Sequence, residues 1–304
     1  MKNPHPSPLV TFLIVAGSSV LFCSKSVFAK LAYAAGADAL TVLALRTAFA
    51  FPFFVLLAFL PSPDAQPLTL RDWGRLALLG FVGYYLSSLV NFTGLQYISV
   101  GLERIILYTY PSLVLGLTAV VMRRKINGAT WAACAVAWTG IVTAFAGETH
   151  SPVEGGKTLL GATLIFASAL TYATFIMLSG DTVKRVGAFR FTGIVVGFSC
   201  LMMQIHHAAV RPISALFDLP AKIYGYGAIL AIFGTVAPAL LLSLGLKRAG
   251  AQKFAIISTI GPVATLFLAW ALLGEQPNLA QAIGFLFTLA GGLAVTLLKS
   301  PKPS

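Results

Sequence analysis

Ten long apolar runs alternate with short polar breaks along the chain, over residues 9–33, 38–60, 74–97, 101–122, 128–146, 158–179, 189–208, 221–245, 250–273 and 278–298. Each is close to the roughly 20 residues a helix needs to cross the hydrocarbon core of a bilayer. In lipid a helix satisfies its own backbone donors and acceptors, and an open strand does not. The pattern therefore predicts an all-α membrane protein of ten transmembrane helices. The breaks have local causes. Pro61, Pro63 and Pro67 end the second run, and Arg123, Arg124 and Lys125 end the fourth. Glu148, His150, Pro152 and Glu154 form the longest polar connection. The first run has no small-residue cleavage site and continues through Val27 and Phe28, so it reads as a retained span.

Composition agrees with lipid as the main solvent. The 304 residues are 58% hydrophobic and 10% charged, against about 25% charged in a soluble domain. The net charge of +12 raises nucleic acid as a partner. The basic residues, however, sit in small groups between apolar runs and form no contiguous basic face, so nucleic acid is not expected. They mark one side of a membrane instead. With the N-terminus inside, the inner segments hold Lys2, Arg71, Arg75, Arg123, Arg124, Lys125, Lys184, Arg185, Arg190, Lys247, Arg248, Lys253, Lys299 and Lys302. The outer ends hold Lys30, Arg104, Lys157, Arg211 and Lys222. This bias predicts both termini in the cytoplasm. Cys23, Cys134 and Cys200 lie inside apolar runs without a CxxC pair, and they read as small buried hydrophobes.

The chain also repeats itself. A constant offset of 151 residues takes Gly83 to Gly234, Gly94 to Gly245, Pro111 to Pro262, Asn127 to Asn278 and Gly140 to Gly291, without a gap. Coincident Gly and Pro weigh most, because each specifies a backbone feature. Each half holds five spans, over 9–146 and 158–298. An odd number makes the second half enter from the opposite side, so the halves are inverted repeats. That architecture is typical of secondary transporters, with the solute near the midplane between the halves.

Each half resembles the five-helix repeat of the drug/metabolite transporter superfamily, EamA type. The matching residues are Leu21 to Lys30 in the first span, Leu45-Arg46-Thr47 in the second, Pro111, Gly140, Pro262, the Gly274-Glu275 pair and Gly291-Gly292. The first half departs from the pattern, with Arg123-Arg124 where the second has Gly-Glu. Within the superfamily the chain looks most like the bacterial amino-acid exporters of the YddG type. The resemblance implies export of small metabolites, amino acids foremost, across a bacterial inner membrane. Other branches carry nucleotide sugars, phosphorylated sugars or drugs, and fold likeness does not choose among them.

Candidate residues for the path emerge from polarity inside the spans. Lys25 lies about 24 Å from the inner end of the first span at 1.5 Å per residue, and Arg46 lies about eight residues into the second. Both fall in the outer third of the membrane, and Glu103 and Arg104 open the fourth span from the same side. A charge in a span is costly and is either paired or faces water. Two readings stand: a cationic spot for a substrate carboxylate, or a structural Lys25/Arg46–Glu103 pair. Tyr84, Ser88 and Asn91 share one face of the third span at i, i+4, i+7 spacing. Arg104, Tyr108, Pro111 and Ser112 share one on the fourth. Ser168, Tyr172 and Phe175 do so on the sixth, and Ser258, Pro262 and Thr265 on the ninth. These stripes line a cavity or pack helices together. Pro111 and Pro262 are symmetry mates, read as static kinks or as hinges gating the path.

Gly156-Lys157-Thr158 lacks the first glycine of a phosphate loop, since Ser151 stands there. His206-His207, at the outer end of the seventh span, reads as interfacial. No catalytic cluster is recognisable, and neither an enzymatic activity, a metal, a cofactor nor an obligatory protein partner is expected. The expected partners are the substrate and the bilayer. All nine acidic residues fall in loops or near span ends. Proton-driven carriers use intramembrane carboxylates or histidines. The expectation is therefore facilitated export or exchange without obligatory proton coupling.

Overall fold

The structure is a computed structural model that describes residues 7–60, 67–123, 126–148 and 157–297. Pro61, Pro63, Arg124, Lys125 and the connection 149–156, which holds His150, Pro152 and Glu154 as well as Ser151 and Gly156, lie outside the described residues. Among the described residues, ten helices are long and apolar enough to cross a membrane. They are α1 (Pro8–Ala34), α2 (Ala39–Phe59), α3 (Leu70–Leu95), α4 (Val100–Val121), α5 (Gly128–Glu148), α6 (Thr158–Val183), α7 (Ala188–Val210), α8 (Ala221–Leu246), α9 (Ile256–Leu273) and α10 (Leu279–Leu297). The protein is a multi-pass membrane protein of two inverted five-helix repeats.

Local chemistry starts and stops these helices. The Asp38 carboxylate accepts the Thr41 N–H at 3.1 Å and caps α2. Thr69 and Asp72 form a reciprocal capping box at the start of α3. Ser99 caps α4 through the Leu102 N–H at 3.1 Å.

The packing shows the internal symmetry directly. Helix α1 packs on α8 and α9, and its mate α6 packs on α3 and α4. Helix α2 packs on its own mate α7, and α5 on its mate α10. The α5–α10 seam is the tightest. Gly140 of α5 abuts Gly284 and Thr288 of α10, and Gly291 abuts Ala133 and Ala137. Without a hydrophobic driving force between helices in lipid, such close backbone approach supplies the attraction.

Two features escape the sequence. Helices α3 and α8 each contain a π-helical stretch, at Phe81–Leu86 and Ile232–Val236, again one offset apart. Gly83 faces the ring of Phe175 on α6, and Gly234 faces Lys25 on α1. Each π stretch thus lies where a central helix meets the first helix of the other half. Helices α4 and α9 are interrupted. The first runs as Val100–Leu107 and Tyr110–Met122, and α9 has its break at Thr259 before Ile260–Leu273. Pro111 and Pro262 stand two to three residues after these breaks, and neither donates an N–H to the residue four before it, Leu107 or Ser258. Breaks at these places are what a proline within a helix produces, so the kink and the hinge readings both stand. Arg104 reaches α1, whereas Ser112 receives the Trp138 indole N–H of α5 at 3.2 Å. Arg104 and Ser112 thus meet different neighbouring helices.

Arg123 explains the departure from the Gly-Glu pattern. It ends its helix with φ 51°, in the left-handed region, at the position symmetric to Gly274 with φ 69°. A side chain in that region is strained. Arg123→Gly is expected to stabilise the protein by about 0.5–1 kcal/mol. Thermal melting in detergent checks this, and an unchanged or lower melting temperature would refute it.

Candidate functional site

The site is built from the charged residues of the first half. The Glu103 carboxylate, 0% exposed, lies 2.8 Å from Nε of Arg104. It also accepts the Asn91 amide N–H at 3.0 Å. Arg104 donates in turn to the Ser26 hydroxyl. A buried ion pair of this kind persists only when its remaining bonding capacity is met. The expected Lys25/Arg46–Glu103 pair does not form, because Glu103 is taken by its own neighbour on α4. Glu103 is also not a peripheral group. It stands near the start of α4, but that start is itself buried, so the carboxylate lies in the protein interior.

Arg46 and Lys25 have only neutral partners. Arg46 is 8% exposed, donates to the Ser88 hydroxyl at 3.1 Å, and lies 4.9 Å over the ring of Phe92. Its Nε has no hydrogen-bond partner, and neither does Oδ1 of Asn91. Lys25, half-buried, places Nζ 4.7 Å over the ring of Phe22. Among the described residues, no carboxylate lies within ion-pair distance of Lys25 or Arg46. Glu103 pairs with Arg104, while Lys25 and Arg46 meet aromatic rings and a hydroxyl. Phe22 is 45% exposed one helical turn from Ser26, so it stands on the face that Arg104 reaches.

The tyrosines form a second group. Tyr84, Tyr110 and Tyr172 are half-buried around Phe175. Tyr84 meets Phe175 edge-on at 5.2 Å, Tyr110 meets Tyr172 edge-on at 5.6 Å, and Tyr172 stacks on Phe175 at 6.0 Å. Tyr108, also half-buried, stands at the break in α4. None of these four hydroxyls has a hydrogen-bond partner among the described residues, and each ring keeps some accessible surface. A phenol inside a membrane protein needs water or a solute in that case. Tyr84 and Asn91 are seven residues apart on α3, so the two groups are separated by about 10 Å along the helix.

The structure thus gathers Lys25, Arg46, Ser88, Asn91 and Glu103, and separately Tyr84 and Tyr172, with Tyr108 on the interrupted helix between. Ser258 stands one turn from Gly261, which meets Ser19 and Cys23 of α1. Ser26 and Tyr110 join the two groups without standing among the candidates. The only sequence signal for Tyr110 is its place beside Pro111.

Three polar ties hold the Asp38 end. The Val100 N–H donates to the Glu275 carboxylate of the other half at 2.9 Å. Gly274, in the left-handed conformation, turns the chain so that Glu275 can reach it. Burial pushes the Glu275 carboxyl up, and Lys30 and the Val100 N–H offset this only in part. Glu148 is 1% exposed rather than in an open loop, and it accepts from the Ser99 N–H and hydroxyl at 2.7 and 2.8 Å and from Gln281. Two carboxylates therefore complement the N-terminus of α4. Arg211 bonds Asp38 at 2.7 Å. Burial would raise the Asp38 carboxyl, but Thr41 and Arg211 hold it below its ordinary range. The histidines divide. His206 is bonded to the Tyr85 hydroxyl at 2.8 Å, while His207 is 1% exposed in the last turn of α7. Among the described residues, no group of three potential metal ligands occurs.

A polar, charge-bearing interior between two inverted five-helix halves defines a membrane carrier. Comparison with known proteins places it further. The EamA-like transporter family matches residues 9–146 and 159–297, and the chain belongs to that family. It is 32% identical over 299 residues to the uncharacterized transporter YcbK of Bacillus subtilis (strain 168), covering 96% of this chain and 94% of that one. It is 25% identical over 260 residues to the uncharacterized transporter YetK of the same organism, covering 85% and 78%. A solved crystal structure superposes with a TM-score of 0.63 at 15% identity, over 96% of this chain and 98% of its own, and so shares the fold.

Proposed function

We propose that this transporter exports small carboxylate-bearing metabolites, amino acids foremost, by alternating access of its two five-helix units, 9–146 and 158–298. One observation carries the reading. Among the described residues Lys25 and Arg46 stand without a carboxylate partner, and Arg46 bonds Ser88 one turn from Asn91, whose amide oxygen is orphaned. A substrate carboxylate supplies the missing counter-charge. The tyrosine group supplies hydroxyls and ring faces for the rest of the molecule. The breaks before Pro111 and Pro262 serve as the hinges, one for each half. The resemblance to YddG-type exporters supports the amino-acid class. The grouping of Lys and Arg supports an inner-membrane orientation with both termini cytoplasmic.

Transport is facilitated or by exchange. Glu103 is the buried carboxylate nearest the path, and its engagement with Arg104 and Asn91 leaves it no free role as a proton relay. A second reading, export of anionic metabolites such as nucleotide sugars or phosphorylated sugars, is favoured by the same two unpaired cations. Flux of a labelled panel of amino acids and nucleotide sugars into liposomes holding the purified protein tests both. Amino-acid flux that persists without a pH gradient is the expected result. Tyr108→Phe is expected to lower it about tenfold, the size of one lost hydrogen bond. Flux that collapses with the pH gradient would overturn the coupling, and unchanged flux in Tyr108→Phe would remove that hydroxyl from the path.

A further inference from the structure

We infer that the preferred substrate carries net negative charge, with two anionic groups received by Lys25 and Arg46. The inference rests on the transport reading above and narrows its substrate class. Arg104 is already neutralised by Glu103 at 2.8 Å and further bonded to Ser26, so it has little left to offer a solute. Arg46 stacks on Phe92 and bonds neutral Ser88, and its buried Nε has no acceptor. Lys25 contacts the ring of Phe22. The two stand on α1 and α2, which pack together with α3 around Val27, Leu43, Leu45 and Phe92.

Charge balance then separates the candidate solutes. A neutral zwitterion brings as much positive as negative charge into this pocket and leaves the excess of two cations unchanged. A monoanion halves the excess. A solute of net charge −2 removes it. Desolvated charges are stable only when balanced, which favours the dianion. The geometry also tolerates an amine, because Oδ1 of Asn91 is buried without a donor. An acidic amino acid offers one carboxylate to each cation and its amine to Asn91, and lowers the excess to one. A dicarboxylate or a phosphorylated acid satisfies the two cations alone.

Counterflow into liposomes of the purified protein decides the matter. The panel is glutamate, succinate and phosphoenolpyruvate against leucine, phenylalanine and pyruvate, at equal concentration and zero membrane potential. At least one two-anion solute is expected to move tenfold faster than leucine or phenylalanine. Glutamate ahead of succinate would assign the amine to Asn91, and phosphoenolpyruvate ahead of both would assign a phosphoryl group. Imposing a potassium diffusion potential should alter the rate for the two-anion solute and leave leucine unaffected. Lys25→Gln and Arg46→Gln should each erase the tenfold preference, and Arg46→Lys, which keeps the charge, should retain most of it if Arg46→Gln fails to fold. Leucine or phenylalanine moving as fast as the two-anion solutes would overturn the inference while leaving the amino-acid carrier intact. No flux of any of the six would overturn both.

Discussion

Glu103→Ala is expected to lower stability by about 3–5 kcal/mol, the cost of leaving one member of a buried ion pair without its partner. The reason lies in what remains. Arg104 is 3% exposed and would keep only the Ser26 hydroxyl as acceptor. Asn91 would lose the acceptor of its only hydrogen bond, in addition to its orphan oxygen. Melting in detergent and the yield of monodisperse protein measure the loss. The double variant Glu103→Ala/Arg104→Met should recover much of it, because the unpaired charge goes with the carboxylate. A single variant that melts like the parent but carries no substrate would place Glu103 in the path rather than in the frame.

Gly291→Ala is expected to cost about 3 kcal/mol, the upper end for an overpacked core. A Cβ there would stand 2.5 Å from the Ala137 nitrogen and 2.7 Å from the Ala133 oxygen. Both obstacles are backbone, so no rotamer change relieves them. The α5 and α10 helices would have to part along the seam that also contains Gly140, Gly284 and Thr288. Gly197→Ala is the control, since nothing lies within 4 Å of its added carbon. Equal melting temperatures for the two variants would show that the seam gives way easily. The seam joins two mates across the symmetry axis, so it is suited to stay closed while the other helices shift.

The architecture was legible because lipid restricts the choices. A run such as 38–60 has no stable form in a bilayer except a helix. The pairs Gly83/Gly234 and Gly140/Gly291 were legible as mates, and the structure shows their use in close helix contacts. The π stretches beside Gly83 and Gly234 were not legible, because a π turn leaves no residue signature of its own. The break at Tyr108 was hidden for a related reason. Pro111 marks it three residues late, and a proline is equally compatible with a first turn or a kink.

The charged site shows the limit most clearly. From sequence, Lys25, Arg46, Asn91 and Glu103 were recognisable as polar groups in apolar runs, because their desolvation demands an explanation. Which cation Glu103 neutralises was not recognisable. Adjacent residues on a helix normally point about 100° apart, so Arg104 was an unlikely partner by helix geometry alone; long side chains turned toward Asn91 and Ser26 bring them together. The sequence by itself therefore determined ten spans, their inverted repetition and the polar residues within them. These depend on burial in lipid and on spacing along one chain. Only the tertiary structure decided that Arg104 is satisfied while Lys25 and Arg46 are not, because pairing depends on directions and distances between side chains from separate helices.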